Sequence, residues 1–347
     1  MTAPTLEGFR SVRGHAAAVA LLRRAFAFDR LAGAYLFAGP LGVGKDRVAH
    51  CLAQLANCRA RTTDQDACGQ CPSCRKIALG QHPDVKVLQR DLKDPPRDPE
   101  RLAEHARRRL EDVPEGELRP AITVDQVREL VAPMAFRPHE GGTRWVVVRE
   151  AERLREEAAN AFLKTLEEPP PATHFVLLTH SPSRLLTTIR SRCQVVRFGA
   201  LDTEDVVAVL ESLGHEGAAA RSLAELADGS VGRALEYSDA EALKVRREWV
   251  GKLLGSLQAA RPGAFVELAD KARALDKRDL DAVLTLFQRH FRAEALAQAA
   301  GHPRASAVHA ARADVVRGAQ ESLTFGPNLN VQMVLEDMLV RLREARP

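Results

Sequence analysis

A glycine-rich loop is encoded by Gly39-Pro-Leu-Gly-Val-Gly-Lys45-Asp46, which stands between a short apolar run and a helical pattern. Strand, loop and helix in this order are typical of a phosphate-binding loop, where backbone N–H groups and the helix N-terminus hold an anion. We expect Gly39, Gly42 and Gly44 to shape the loop and Lys45 to reach the terminal phosphates. The sequence therefore predicts an α/β nucleotide-binding domain.

Two positions beside this loop depart from the pattern of phosphate-loop ATPases. Asp46 stands where Ser or Thr coordinates Mg²⁺, and Arg149 stands where an apolar strand ends in a metal-binding Asp, while Glu150 is kept. We expect Asp46 and Arg149 to form an ion pair in the space of the Mg²⁺ shell, with about 4 kcal/mol of Coulomb energy before desolvation. The alternative is two independent losses at an unused site. Both interpretations leave binding of ATP or ADP through Lys45 open, and both predict that efficient hydrolysis is lost.

Short apolar runs and helical patterns alternate over the first two hundred residues, which predicts a parallel sheet covered by helices. We expect strands that are buried on both faces: Tyr35–Ala38, Val85–Leu88, Trp145–Val148, Phe175–Leu178 and Val195–Phe198. The helices between them are expected at Ala16–Phe28, Lys45–Ala56, Val124–Met134, Glu156–Glu167 and Ser183–Arg190. Thr123 and Gln126 have the spacing of a capping box before the third of these helices.

The remaining sequence is helical in pattern, and it divides the chain into three parts. Residues 1–200 form the predicted α/β domain, residues 201–242 a small helical domain, and residues 243–347 a second helical domain. The segment Arg97–Arg119 is dense in charges of both signs, and we interpret it as a solvated insertion on the surface.

Composition excludes several classes of protein. The 347 residues include 50 Lys and Arg against 46 Asp and Glu, so the net charge of +4 does not by itself indicate nucleic-acid binding. The chain has neither an apolar run long enough to cross a membrane nor a secretory signal, which predicts a cytoplasmic protein without a membrane partner.

Four of the six cysteines are closely spaced. Cys58, Cys68, Cys71 and Cys74 follow the pattern C-x9-C-x2-C-x2-C, with small residues that permit tight turns. This spacing favours a structural zinc site closed by four thiolates, inserted over residues 58–74. Disulfides and an iron–sulfur cluster are the alternatives. We expect Cys51 to be an ordinary core residue, and we expect Cys193 to begin a buried strand.

Three stretches resemble subunits of the bacterial DNA polymerase III clamp loader, which are AAA+ proteins. The helix Asn160-Ala-Phe-Leu-Lys-Thr-Leu-Glu-Glu-Pro-Pro170 closely resembles one of theirs, Ser191-Arg192-Cys193 is similar to their Ser-Arg-Cys motif, and the four-cysteine module resembles their zinc module. The C-terminal stretch from Gly326 to Leu342 is similar to their last collar helix. The resemblance implies an AAA+ domain at 1–200, a lid at 201–242 and an oligomerisation collar at 243–347.

The altered positions indicate which type of subunit the chain resembles. The gamma/tau ATPase subunit would keep the Mg²⁺ ligands and a lid arginine, whereas this chain has Gly232 at that lid position and Arg233 one place later. A shift of one residue turns a helical side chain by about 100°, so we expect Arg233 to face away from the nucleotide. The losses fit the delta-prime subunit, with an active gamma/tau-like ATPase as the alternative.

The resemblance also implies partners and a site in trans. Arg192 would act as an arginine finger on the nucleotide of an adjacent gamma subunit, in an assembly with gamma/tau and delta subunits that loads the sliding clamp on primed DNA. An ordinary surface salt bridge is the alternative for Arg192, and Arg190 is a weaker second candidate. The resemblance implies that Lys164 faces primed DNA. The alternative is that Lys164 forms an ion pair with Glu167 or Glu168 on the same helix. A third possible function for the chain is that of a free-standing zinc-containing protein that binds DNA in repair. This function would leave the collar-like C-terminus unexplained.

Overall fold

The computed structural model of this chain describes residues 6–93, 113, 117–140, 142–258, 263–325 and 329–345. These residues fall into two units, which divide between Ser238 and Asp239. Most of the charged segment Arg97–Arg119 and the start of the C-terminal stretch, Gly326 to Asn328, lie outside the described residues, so their interpretation stays a prediction.

A five-stranded parallel sheet forms the centre of the first unit, in the order β2-β3-β4-β1-β5. Its strands are β1 (Ala34–Ala38), β2 (Val85–Leu88), β3 (Arg144–Val148), β4 (Thr173–Thr179) and β5 (Gln194–Arg197). β1 lies between β4 and β5, with Leu36 in register with Leu177 on one side and Val195 on the other. The loop that follows β1 therefore opens at the carboxyl edge of the sheet, where ligands of parallel sheets bind.

Helices cover both faces of this sheet. Those of the first unit are α1 (Ala16–Ala27), α2 (Lys45–Asn57), α3 (Pro72–Ala78), α4 (Val124–Val131), α5 (Glu156–Glu167), α6 (Thr187–Arg190), α7 (Thr203–Ser212), α8 (Gly217–Leu226) and α9 (Val231–Glu236). Alternate side chains of the central strands enter two separate cores: Tyr35 and Trp145 pack with α1 and α2, whereas Leu36 and Phe175 pack with Phe162 of α5. The predicted capping box at Thr123 and Gln126 is present.

The expectation of strands buried on both faces is wrong for β2 and β5. These strands lie at the two edges of the sheet, and each exposes part of its length. Val195 of β5 is 46% exposed, and Lys86 of β2 is exposed as well. An apolar run of four residues could not distinguish an edge strand from a central one. Cys193, expected to begin the last strand, is buried one residue before it.

Two predicted helices are shorter than expected. The helix predicted over Ser183–Arg190 is a 3-10 turn at Pro182–Arg184 followed by α6, because Leu185 and Leu186 are extended where they pack into the core below α5. The helix predicted over Val124–Met134 ends at Val131 and continues as a 3-10 turn, since Pro133 has no N–H to donate.

The second unit is helical in its described residues, as the sequence predicts. Its helices are α10 (Ala240–Gln258), α11 (Gly263–Ala272), α12 (Lys277–Gln298), α13 (Pro303–Phe325) and α14 (Val331–Glu344). Phe287 and Phe291 of α12 are fully buried against Leu339 and Leu342 of α14. Over the described part of the chain, no helix combines the length and apolar character that a membrane crossing requires.

Candidate functional site

The phosphate loop joins the end of β1 to the start of α2. Gly42 and Gly44 have φ angles of 72° and 103°, in the left-handed region that glycine adopts without strain. Lys45 is buried, and its Nζ donates to the carbonyl oxygens of Gly39 at 2.7 Å and Pro40 at 2.5 Å. The lysine therefore caps carbonyl groups of its own loop. A phosphate bound there would have to draw the ammonium group away from these oxygens.

The charge of Lys45 is disfavoured by its surroundings. Burial lowers the pKa of Lys45 to about 8, although the nearby carboxylates of Glu152 and Asp46 oppose this shift. A lysine with this pKa is still mostly protonated at neutral pH. The loop thus retains a positive charge that can attract an anion.

The predicted ion pair between Asp46 and Arg149 is confirmed. Nε of Arg149 donates to Oδ1 of Asp46 at 2.8 Å, and Nη2 donates to Oδ2 at 3.0 Å. Nη1 of the same guanidinium donates to Oε1 of Gln89 at 2.9 Å. This two-point contact fixes both side chains beside the loop. Residue types that bind Mg²⁺ in phosphate-loop ATPases are replaced here by a salt bridge between the start of α2 and the end of β3.

A second ion pair engages Glu150, the acidic residue kept after β3. Nε of the buried Arg90 donates to Oε2 of Glu150 at 2.8 Å, and Nη2 donates to Oε1 at 3.3 Å. Arg90 was not predicted from the sequence. Its position two residues after β2 was the available signal, because β2 and β3 are neighbours and their ends meet at one edge of the sheet. Glu150 is thus tied to a guanidinium rather than poised to polarise water.

A third acidic side chain, Glu152, was also missed and lies deeper in the same region. Its side chain is fully buried and contacts Nδ1 of His180 at 2.5 Å. Burial acts to raise the pKa of Glu152, but the hydrogen bond and charge of His180, with a contribution from Thr179, lower it overall. Thr179 ends β4 and His180 follows it, so their contacts with Glu152 connect the carboxyl ends of β3 and β4.

The start of α9 contacts the phosphate loop directly. Oγ of Ser230 donates to the carbonyl oxygen of Leu41 at 2.9 Å, and N–H of Gly232 donates to that of Gly42 at 3.0 Å. A Cβ added to Gly232 would lie 2.9 Å from Cα of Gly42, closer than two carbon atoms pack. Gly232, the position at which an arginine was expected to be missing, is thus in close backbone contact with Gly42.

Arg192 lies at the start of the segment that leads into β5. Its Nε and Nη2 donate to Oε2 of Glu167 at 3.1 and 2.9 Å, and its Nη1 donates to the carbonyl oxygen of Thr188 at 3.1 Å. Ser191 Oγ donates to the same carbonyl at 3.1 Å, while Cys193 is buried in the core. The surface salt bridge expected under the alternative interpretation of Arg192 is thus formed, and the side chain of Arg192 stays 30% exposed.

Lys164 is exposed on α5. The pairing of Lys164 with Glu167 or Glu168, one of the two alternatives for this residue, is not formed among the described residues, and the carboxylate of Glu167 is bonded to Arg192 instead. A basic side chain thus projects from α5 into solvent.

The four clustered cysteines converge on one point. The Sγ atoms of Cys58, Cys68, Cys71 and Cys74 all lie within 4.8 Å of one another, and none of them forms a disulfide in this structure. Four sulfurs at the corners of a tetrahedron with Zn–S bonds of about 2.3 Å would be about 3.8 Å apart. The donor set and its spacing therefore fit four thiolates around one tetrahedral ion.

The surroundings of these thiols suit metal binding. Burial opposes ionisation of Cys71, but N–H groups of Arg59 and Cys74 and the neighbouring thiols lower its pKa to about 7. Burial raises the pKa of Cys58 and Cys74. Backbone N–H groups of Gln70 and Cys71 also point at Sγ of Cys68. A bound dication would deprotonate the remaining thiols.

Two buried polar side chains attach this module to the rest of the domain. Asp66 accepts hydrogen bonds from the N–H groups of Phe9 at 3.1 Å and Arg10 at 3.0 Å. Gln54 of α2 accepts from N–H of Gly8 and donates to the carbonyl oxygen of Cys74 at 2.9 Å. Neither residue was singled out from the sequence. They connect the four-cysteine module to the N-terminal segment and to the helix that follows the phosphate loop.

Comparisons with known proteins agree with the predicted family. The profile of the family described as DNA polymerase III, delta subunit, matches residues 14–202. The chain is 41% identical over 163 residues to subunit delta′ of DNA polymerase III from Pseudomonas aeruginosa, covering 47% of this chain and 42% of that protein. It is 30% identical over 269 residues to subunit tau of DNA polymerase III from Escherichia coli, covering 75% of this chain and 37% of that protein. The chain thus spans about two fifths of the length of these relatives.

A longer match exists to subunit delta′ of DNA polymerase III from Bacillus subtilis, at 29% identity over 274 residues, 77% of this chain and 74% of that protein. Among solved structures, a DNA polymerase III gamma subunit-related protein from Thermotoga maritima aligns over 94% of this chain and 99% of its own, with a TM-score of 0.45 and 18% identity. The RuvB Holliday junction branch migration motor of Thermotoga maritima aligns over 86% of this chain and 80% of its own, with a TM-score of 0.43 and 15% identity.

Proposed function

We propose that this chain, which belongs to the delta-prime subunit family of the bacterial DNA polymerase III clamp loader, is a non-hydrolysing AAA+ subunit that completes the ATPase site of a neighbour. The observation that carries the proposal is the ion pair between Asp46 and Arg149 at the phosphate loop. The side chains at both positions that would hold Mg²⁺ form an ion pair with each other. Without the metal, the charge that develops on a transferred phosphoryl group is not neutralised, and hydrolysis in this site is lost.

The engagement of Glu150 supports the same conclusion. In ATPases of this type the residue at this position orients or polarises the attacking water. Its carboxylate here accepts two hydrogen bonds from Arg90, which occupy both of its oxygens and fix its direction. Lys45 and the loop backbone remain able to hold ATP or ADP as a bound but unhydrolysed ligand.

Arg192 is the residue that we propose to act in trans. Its guanidinium is planar and permanently charged, so it can donate two parallel hydrogen bonds to phosphate oxygens. An arginine supplied to a phosphoryl-transfer site raises the rate by about 10³–10⁵-fold. The partly exposed guanidinium of Arg192, on a backbone anchored by the buried Cys193, suits delivery to a neighbouring gamma/tau subunit.

We also propose that the four cysteines hold a structural Zn²⁺. All four positions of a tetrahedral ion would be filled by thiolates, so no position is left for water or substrate. Bound zinc would supply cross-linking of the module and no catalytic chemistry. The zinc content of the purified chain tests this assignment against iron–sulfur, which would give visible absorbance.

The remaining parts of the chain have roles in assembly under this proposal. Residues 201–242 form the lid, and residues 243–347 form a helical collar through which the chain associates with gamma/tau and delta subunits. The assembly, rather than this subunit alone, would meet the sliding clamp and primed DNA in the cytoplasm. Contacts of Lys164 with DNA would be to backbone phosphate and therefore sensitive to salt.

An active gamma/tau-like ATPase is the second candidate, and one observation favours it. The match to subunit tau of Escherichia coli, 30% identical over 75% of this chain, is about as extensive as the match to subunit delta′ of Bacillus subtilis, 29% identical over 77%. The salt bridge of Asp46 and the contact of Gly232 with the loop argue against this candidate.

One experiment separates the two candidates. The purified chain is assayed for DNA-stimulated ATPase activity alone and after mixing with gamma/tau and delta subunits of the same organism. We expect no turnover by the chain alone and an increase in turnover when it joins the assembly. Appreciable hydrolysis by the chain alone would contradict the proposal and favour the motor subunit.

A further inference from the structure

We propose that Glu167 is a positioning residue that aims the guanidinium of Arg192 at the nucleotide of the neighbouring subunit. This inference rests on the proposed function, since it names the device that presents Arg192. It is carried by a contact between two residues that lie 25 positions apart, at the end of α5 and just after α6.

The hydrogen bonds of Arg192 leave a specific part of its guanidinium available. An arginine has five N–H donors in a rigid plane. Oε2 of Glu167 takes one from Nε and one from Nη2, and the carbonyl oxygen of Thr188 takes one from Nη1. Within the residues that the structure describes, one N–H on each terminal nitrogen is left without a partner. Such a pair of donors matches two oxygens of a phosphate.

The carboxylate of Glu167 pairs with Arg192 and not with the nearby Lys164. Lys164 stands one helical turn earlier on α5, at a spacing that favours a pair with Glu167. In the described part of the chain, Lys164 makes no ion pair, and the Glu167 carboxylate lies 2.9 Å from Nη2 of Arg192. This choice orders the long side chain of Arg192, which otherwise keeps its rotamer freedom until it meets a ligand.

The residues on either side of Arg192 also hold its backbone in place. Ser191 Oγ donates to the carbonyl oxygen of Thr188, the same acceptor that Arg192 uses. Cys193 is buried in the core beneath α5. The end of α5 and the Ser-Arg-Cys segment therefore form one rigid support, so the direction of the guanidinium is set before a neighbouring subunit arrives.

The test is steady-state ATPase activity of the assembly reconstituted with variants of this chain. We expect Glu167→Ala to lower kcat by roughly tenfold to hundredfold with little change in KM for ATP, because the arginine is misaimed rather than removed. Glu167→Gln keeps an oxygen that can accept from Nε and Nη2, so it should recover part of the loss. Glu204→Ala is the matched control, because Glu204 forms a comparable exposed pair with Arg221 on the lid.

A second comparison separates positioning from a general structural role. In the Arg192→Ala background, Glu167→Ala should have no further effect on kcat, since there is no guanidinium left to aim. An equal loss in that background would overturn the inference, as would unchanged or higher kcat for Glu167→Ala alone. Undiminished turnover with Arg192→Ala would instead refute the proposed function itself, and this inference with it.

Discussion

Asp46 and Arg149 illustrate how single residues change the chemistry of a familiar loop. Each substitution alone would leave an unpaired charge beside Lys45, but together they neutralise each other across α2 and β3. Arg149 is only 17% exposed in its side chain, so its guanidinium depends on the carboxylate. Glu150 and Arg90 form a similar pair next to it. The two substituted positions and the retained Glu150 are therefore all held in ion pairs.

The double substitution Asp46→Thr and Arg149→Asp restores the residue types that bind Mg²⁺. We nevertheless expect ATP hydrolysis by the isolated chain to stay near background, because Arg90 still holds Glu150 and the lid still has Gly232. Turnover is measured with and without Mg²⁺, and binding of a fluorescent ATP analogue serves as the control for an intact loop. Mg²⁺-dependent turnover of about 1 s⁻¹ or more, which is usual for enzymes, would show that Glu150 is free to act.

The buried Lys45 predicts a specific pH dependence of stability. The folded chain gives up the lysine proton above pH 8 or so, whereas the unfolded chain keeps it up to the ordinary pKa of 10.5. The unfolded state therefore binds more protons in this window, and the free energy of unfolding rises with pH. Relative to Lys45→Met, the native chain should gain about 3 kcal/mol from pH 8 to pH 10.5 in urea titrations. A difference that stays flat with pH would contradict the buried position of the ammonium.

Between elements, the contact of α9 with the phosphate loop leaves no room for a side chain at Gly232. We expect Gly232→Ala to lower the free energy of unfolding by about 1–3 kcal/mol, because its Cβ would meet the backbone of Gly42. Gly251→Ala is the matched control: Gly251 lies in α10 with nothing near its Cβ position, so alanine there should stabilise by up to about 1 kcal/mol. Equal effects of the two substitutions in chemical unfolding would contradict the lid–loop contact.

The four-cysteine module and the N-terminal segment are expected to loosen together. Asp66 accepts hydrogen bonds from the N–H groups of Phe9 and Arg10, and Gln54, which also donates to Cys74, accepts one from Gly8. These hydrogen bonds therefore depend on the fold of the module. Removing the proposed Zn²⁺ with a chelator should raise amide exchange at residues 8–10 at least tenfold and lower the unfolding midpoint by roughly 5–10 °C.

Amides of β3 serve as the internal control for this metal-removal experiment, because they are buried in the centre of the sheet. Cys58→Ser, which removes one thiolate, should reproduce the effect of the chelator. Unchanged exchange at residues 8–10 after complete loss of metal would show that the module is not coupled to that segment.

For the whole molecule, features defined by a sequence motif were predictable, and contacts that depend only on the order of the strands were not. The loop, the cysteine cluster and the ion pair of Asp46 with Arg149 could be predicted, because spacing or complementary departures from one motif define them. Arg90 acts on Glu150 only because β2 lies beside β3, and no residue spacing encodes that order. Glu152 and Glu167 looked like ordinary polar positions, since their partners come from distant parts of the chain.

The exposure of the edge strand β5 and the break before α6 have the same origin. An apolar run such as Val195–Phe198 has the composition of a central strand, and only the position of β5 at the end of the sheet makes Val195 accessible. The extended Leu185 and Leu186 are drawn into a core that the local sequence does not contain.

Single-turnover ATP hydrolysis by the reconstituted assembly carrying Arg192→Ala tests whether this chain serves a neighbour's active site. Arg221→Ala is the control, since Arg221 forms an exposed ion pair on the lid away from the proposed site. We predict that Arg192→Ala assembles normally and slows hydrolysis at the neighbouring site by about 10³-fold or more, while Arg221→Ala leaves it unchanged. Hydrolysis at the native rate in an intact assembly with Arg192→Ala would contradict the account.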